Sequence, residues 1–163
     1  MNGRRTIVEL DQERLRSASQ LLMRTLGLTS YAGGALESLE LAARTPGAET
    51  RALGCVRDDV LDGVIVFGTF AGADGAGRIH FVVVSDASRR AGVGRSLAEA
   101  AIERLRGERA RFVLVELPDD AHALPGAGAF FGPLGFREES RVENFFRHGV
   151  ALSFVRRDLA DAG

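Results

Sequence analysis

The spacing of apolar residues changes along the chain, and each change marks a new kind of element. After a short candidate strand at Thr6 to Glu9, Asp11 can cap a helix whose apolar positions Leu15, Ala18, Leu22 and Leu26 recur at helical spacing until Gly27 ends it. A weaker helical stretch is expected from Ala35 to Arg44, after the flexible Gly33 and Gly34 and before Pro46 and Gly47. From Glu49 the pattern is that of strands: Thr50 to Val56, Gly63 to Phe70, a glycine-rich turn at Ala71 to Gly77, then Arg78 to Val84. These strands read as an antiparallel meander. Its last member carries Phe81, Val82, Val83 and Val84 without interruption, as expected of a central strand covered on both faces.

The second half predicts a crossover. Polar Ser85 to Ala91 leads into a helix from Val93 to Arg106, with Val93, Leu97, Ala101 and Leu105 on one stripe and Gly107 at its end. An apolar strand follows at Arg111 to Leu117, so strand, helix and strand form a right-handed unit with nearly parallel strands. A loop from Pro118 to Pro125, a short helix near Gly128 to Leu134, and two strands at Arg137 to Phe146 and Val150 to Leu159 around Arg147-His148-Gly149 complete the chain. No linker, repeat or low-complexity tract interrupts it, so residues 1–163 are expected to form one domain.

Composition narrows the function. A hydrophobic content of 45% in 163 residues can build a core without metal or disulfide staples. A formal charge of -1 gives no electrostatic footprint for a nucleic-acid backbone. The basic side chains other than histidine are all arginine, which excludes lysine chemistry. Cys55 is the only cysteine, so there is no internal disulfide and no cysteine metal cluster, and a reducing compartment fits. The most apolar run, Val64 to Ala73, is too short to span a bilayer. A cytoplasmic protein bound neither to membrane nor to nucleic acid is expected.

The chemistry concentrates in Arg89-Arg90-Ala91-Gly92-Val93-Gly94-Arg95, between a buried strand and the first turn of a helix. Unpaired backbone N–H groups and the positive end of the helix dipole converge there, two glycines let a phosphate approach the backbone, and arginines can add charge-assisted bonds. The competing reading is a plain strand-to-helix turn eased by Gly92 and Gly94. Leu97 occupies the third-glycine position of a dinucleotide fingerprint and no lysine completes a Walker-type loop, so another phosphate ester is implied.

Arg89, Gly92 and Gly94 match the Arg/Gln-x-x-Gly-x-Gly/Ala motif, and with Val84-Ser85-Asp86-Ala87-Ser88 before it and Ala129-Phe130-Phe131-Gly132-Pro133-Leu134-Gly135-Phe136 after it the sequence resembles the GNAT superfamily of N-acetyltransferases. Asp86 stands where a proline is common. The resemblance is strong from Arg78 to Phe136 and looser elsewhere. It implies an α/β (α+β) GNAT-like fold: a central mixed, mostly antiparallel sheet of about six to seven strands with a β-α-β cofactor crossover and flanking helices. It implies acetyl-CoA as co-substrate, no metal, and an amine acceptor. The main chain of Val82, Val83 and Val84 would pair with the pantetheine amides, and Arg90, Ala91, Gly92, Val93, Gly94 and Arg95, with Arg89, would hold the pyrophosphate.

Phe131 takes the position of the tyrosine that serves many members as general acid, next to the cofactor, and has no exchangeable proton. Without an acid the rate can fall by about 10²- to 10⁴-fold where proton transfer limits it, although a thiol of pKa about 8.5 leaves tolerably unaided. Tyr31, the only tyrosine, is the candidate acid from another direction, against ordinary packing or exposure. Glu116 is the candidate base, because several members carry a glutamate near the end of this strand that deprotonates the amine through water; the alternative is an outward-facing strand carboxylate. His80 could titrate near neutrality or be a structural residue, His122 lies in a loop, His148 in a turn, and their spacing builds no metal site. Cys55 reads as core filling.

The expected function is an N-acyltransferase transferring acetyl from acetyl-CoA to a primary amine by direct attack in a ternary complex. An acyl-CoA-binding regulatory domain without turnover is the alternative that Phe131 permits. A homodimer through the closing hairpin or a sheet edge is compatible with either.

Overall fold

The computed structural model describes residues 3–45, 47 and 49–159. The expected helix stop at Pro46 lies outside them. In chain order the elements are β1 (Thr6–Glu9), α1 (Gln12–Leu26), α2 (Ala32–Arg44), β2 (Arg51–Arg57), β3 (Val60–Thr69), β4 (Ala76–Val84), a 3₁₀ turn (Asp86–Ser88), α3 (Val93–Gly107), β5 (Phe112–Pro118), α4 (Ala127–Phe131), a second 3₁₀ turn (Gly132–Leu134), β6 (Arg137–Arg147) and β7 (Val150–Asp158). The strands form one seven-stranded sheet in the order β1-β2-β3-β4-β5-β7-β6. β4 and β5 run parallel, as the α3 crossover demands, and the other neighbours are antiparallel. The mixed, mostly antiparallel sheet with a central β-α-β unit is the architecture the sequence implies.

Each face of the sheet has its own core. On one side Leu97, Ala101 and Leu105 of α3 pack with Ile65, Phe67, Ile79, Val113 and Val115. On the other, Ala18, Leu22 and Leu26 of α1 and Leu39 of α2 pack with Val64, Val66 and Val83. The apolar run of β4 is therefore covered on both faces, as its sequence predicts: Val83 joins the α1/α2 core while Val82 and Val84 pack against the α3 core.

Three local expectations are corrected. Helix α2 begins at Ala32, three residues before the expected start, and carries Gly33 and Gly34 in its first turn. Glycine costs about 1 kcal/mol per helical position, and burial of Ala32 in the core outweighs that propensity here. The turn after α3 uses Arg109, with φ 65°, as its left-handed residue, while Gly107 stays helical. Strand β3 starts at Val60 because Asp58 and Asp59, with φ of 50° and 62°, close a two-residue hairpin that aspartate tolerates.

Candidate active site

The site is produced by the sheet itself. β4 and β5 pair from Ala76↔Phe112 to Ile79↔Val115 and no further, although the strands continue to Val84 and Pro118. β4 stays bonded to β3 out to Val84, and β5 to β7 out to Pro118, so the two strands diverge into a wedge with their facing edges free. A bulge assists the divergence: Phe81 pairs with Val66 but Ile79 with Phe67, which leaves His80 as an extra residue on β4. His80 and Glu116 are thus the first residues beyond the last pair, one on each arm of the fork.

One arm of the wedge runs into the motif. The 3₁₀ turn is followed by Arg90 at φ 64° and Gly92 at φ 77°, and the latter caps α3. Ser96 donates the first helical bond to the Gly92 carbonyl, leaving the N–H groups of Val93, Gly94 and Arg95 without carbonyl partners. A Cβ on Gly92 would meet nothing within 4 Å, whereas one on Gly94 would stand 3.1 Å from Phe130 Cε2 and 3.3 Å from Val84 Cγ2. Gly92 thus leaves open space over the helix terminus, and Gly94 lets the helix seat against its neighbours. Ser85 Oγ, buried nearby, has no hydrogen-bond partner. Arg89 pairs with the exposed Asp86 at 3.2 Å and borders the cleft; Arg95 pairs with Glu99 at 3.0 Å. Arg90 and Ala91 are exposed. An open, positively polarised helix terminus beside a free strand edge suits a pyrophosphate carried on an extended amide-bearing arm.

The cleft measures ≈ 940 Å³ and is continuous from Arg89 past Val82 to Val84 to the far wall at Tyr31 and Phe146. That is the upper end of ordinary ligand sites, enough for two substrates end to end. Phe131 is 6% exposed, stacked edge-on with Phe130 at 4.9 Å and Phe136 at 5.3 Å, and presents only part of itself to the cleft.

At the fork, the Glu116 side chain is 43% exposed and 3.5 Å from Arg78. It lines the cleft rather than only the outer surface. His80 lies in the same cleft, and its Nε2 is buried with no hydrogen-bond partner. Burial first, and the Arg78 charge second, lower its pKa to about 4, so the imidazole is neutral at physiological pH. An unfolded chain takes up a proton on this histidine near pH 6.5, and the folded chain resists it until about pH 4. Stability is therefore expected to be full above pH 6.5 and to fall as pH drops through that window. In His80→Gln the fall between pH 6.5 and 4 should flatten, as thermal unfolding at a series of pH values would record.

A polar cluster closes the far end. Tyr31 Oη donates to Asp120 Oδ2 at 2.8 Å, Arg147 donates to the same oxygen at 2.6 Å, and Ala123 N–H donates to Oδ1 at 3.2 Å. The Asp120 side chain is 3% exposed, and the bonds from Tyr31 and Arg147 hold its carboxyl below the usual range. Burial and the bond to Asp120 raise the Tyr31 phenol. Tyr31 lines the cleft, as the expectation of an acid from this direction requires, with its hydroxyl proton directed at Asp120 in this structure. Arg147 reaches Asp120 because β6 slips against β7 between Val142↔Leu152 and Arg147↔Val150, with Asn144 at φ 55° and its Oδ1 accepting from Gly149 N–H at 2.8 Å. The slip also brings Phe146 edge-on to Tyr31 at 5.3 Å. Sequence reasoning named Tyr31 but missed Asp120 and Arg147, whose separations from it of 89 and 116 residues leave no local signal.

Cys55 is buried in the core, away from the cleft lining. Among the described residues no group of three or more potential metal ligands comes together, and no helix is long and apolar enough to cross a membrane.

Comparison with known proteins agrees with this geometry. The sequence model of the acetyltransferase (GNAT) family matches residues 19–136. No curated protein matches the sequence. Among solved structures, the chain is similar to a GNAT-family protein from Desulfovibrio desulfuricans, with TM-score 0.84 and 17% identity over 96% of this chain and 100% of that one. It is also similar to the ribosomal-protein-S18-alanine N-acetyltransferase of Escherichia coli, with TM-score 0.78 and 16% identity over 98% and 97%. The aminoglycoside 6'-N-acetyltransferase of Enterococcus faecium gives TM-score 0.77 and 17% identity over 97% and 99%. At such identities the likeness establishes the fold.

Proposed function

The chain belongs to the GNAT family of acetyltransferases, acetyl-CoA-dependent enzymes, and from that premise we propose that it acetylates a primary amine by direct attack within a ternary complex at the fork of β4 and β5. The observation that carries this reading is the wedge after Ile79 and Val115, which puts a free strand edge and a carboxylate in one cleft, with Arg89 at its border just before the uncapped terminus of α3. The free edge of Val82, Val83 and Val84 would pair with pantetheine amides as an added strand would. The N–H groups of Val93, Gly94 and Arg95 would take the pyrophosphate, with Arg89 at the border and Arg90 and Ala91 shaping the turn. Phe131 would form an apolar side of the channel for the pantetheine arm. Bound acetyl-CoA supplies a thioester whose thiol leaves readily, at a pKa of about 8.5.

Glu116 would attract the protonated amine and receive its proton, directly or through water, because it is charged and open to solvent at the fork. His80, held neutral, offers the nitrogen a polar neighbour without adding charge. Solvent in the open cleft would protonate the departing thiolate, since Phe131 has no exchangeable proton and the Tyr31 hydroxyl is directed at Asp120. Positioning supplies most of the rate on this view.

Titration calorimetry with acetyl-CoA, followed by an assay of thiol release in the presence of primary amines, tests the proposal. Binding and amine-dependent release of CoA are expected. Absence of binding would remove the cofactor assignment, and binding without release to any amine would favour a regulatory domain.

A further inference from the structure

We infer that the acceptor is a primary amine bearing one positive charge on an aromatic or branched apolar body, which seats against Phe146, Tyr31 and Phe81 with its nitrogen at Glu116. This rests on the proposed acetyltransferase reading and specifies its second substrate. The acceptor end of the cleft is walled by Leu26, Ala35, Phe81, Leu124 and Phe146 around the phenol of Tyr31. Among the residues that line it, Glu116 is the only carboxylate. The other acid at this end, Asp120, already accepts from Tyr31, Arg147 and Ala123 and has no free charge to offer. Arg147 is ion-paired with that same carboxylate, so the end wall offers an acidic acceptor a cation whose charge is already countered.

Charge counting then separates the acceptor classes. An aminoglycoside brings several ammonium groups, and one carboxylate would leave the rest desolvated beside apolar walls. A peptide terminus brings a run of amides, of which only those reaching the free edge of β5 or the Thr25, Ser30, Ser38 and His122 side chains would find partners. A monoamine with an apolar body leaves nothing unpaired: its ammonium meets Glu116 and its body covers surface already exposed. Phe145 and Phe146 are 55% and 39% exposed, their rings 4.9 Å apart and edge-on, at the mouth of the site. An aryl ring could extend that edge-to-face series from Phe146 to Tyr31.

The test compares 2-phenylethylamine, ethylamine, kanamycin and an alanine-terminated tetrapeptide as acceptors for the intact chain, by CoA release, with acetyl-CoA calorimetry on the same preparations. Wild type is expected to give 2-phenylethylamine a kcat/KM about tenfold or more above each of the others, the discrimination that apolar burial supplies. Phe146→Ala should cut the ratio of 2-phenylethylamine to ethylamine about tenfold through KM, and Phe146→Leu should restore part of it. Calorimetry confirms that each variant is folded. If kanamycin or the peptide is preferred, or if Phe146→Ala leaves the ratio intact while acetyl-CoA binds, the inference fails and the acetyltransferase reading stands. If wild type does not bind acetyl-CoA, both fail.

Discussion

Gly92→Val is expected to weaken acetyl-CoA binding about 100-fold or more, equivalent to about 2.7 kcal/mol, while the protein stays folded. Gly92 has φ 77°, a conformation that costs an L-residue about 1–2 kcal/mol and a β-branched one more. A Cβ there meets nothing within 4 Å, so the free protein suffers no clash, and its unfolding temperature should fall by only a few degrees for a chain this size. Binding takes the larger loss for two reasons. The branched side chain stands in the open space over the helix terminus, where the pyrophosphate would lie. Relief of the backbone strain would also rotate the peptide that aims the N–H groups of α3. Gly92→Asn, which tolerates the left-handed region, should retain affinity to within about tenfold. Gly94→Val gives the contrasting result: its Cβ would press on Phe130 and Val84, so stability suffers with binding. Calorimetry and thermal unfolding on the three variants separate these outcomes, and near-normal affinity in Gly92→Val would show that the cofactor does not use this terminus.

The difference between Gly92 and Gly94 shows how far the sequence carries. The motif was legible because its elements are consecutive: an apolar strand, a polar turn and a helix with a glycine at its cap already define an anion site. Spacing could not show that the two glycines do different things, because the neighbours of Gly94 include Phe130, distant along the chain. The same holds at the fork. Both His80 and Glu116 were visible as candidates, yet their shared position depends on where β4 and β5 stop pairing and on a one-residue bulge against β3. Neither leaves a periodic trace. The far wall is the least legible part. Tyr31 precedes α2, Asp120 follows β5 and Arg147 ends a strand that slips against its partner. The Gly33-Gly34 pair, read as a flexible lead-in, is instead helical, because burial of Ala32 and Leu39 holds α2 where propensity alone would not.

Glu116→Gln is expected to lower kcat for the amine by about 10²- to 10⁴-fold and leave the calorimetric affinity for acetyl-CoA unchanged. The substitution keeps the shape of the side chain and removes the ability to accept a proton. Because Glu116 is also the only carboxylate among the described residues that line the cleft, KM for a protonated amine should rise as well. Raising the pH deprotonates the amine before it binds, so activity of the variant should climb with pH as free amine replaces ammonium, more steeply than that of wild type. That partial rescue separates a proton-accepting role from a structural one, since Glu116 is exposed and its contact with Arg78 is 3.5 Å, too weak for its loss to unfold the protein. His80→Gln supplies the comparison. Its imidazole faces the same fork but is half-buried, with Nε2 shut away from solvent, and is uncharged, held to a pKa of about 4, so it does not attract the ammonium. A loss of about tenfold or less is expected there. If the ranking is reversed, with Glu116→Gln close to wild type and His80→Gln severely impaired, the proton leaves through the imidazole, and the β4 bulge rather than the end of β5 places the base.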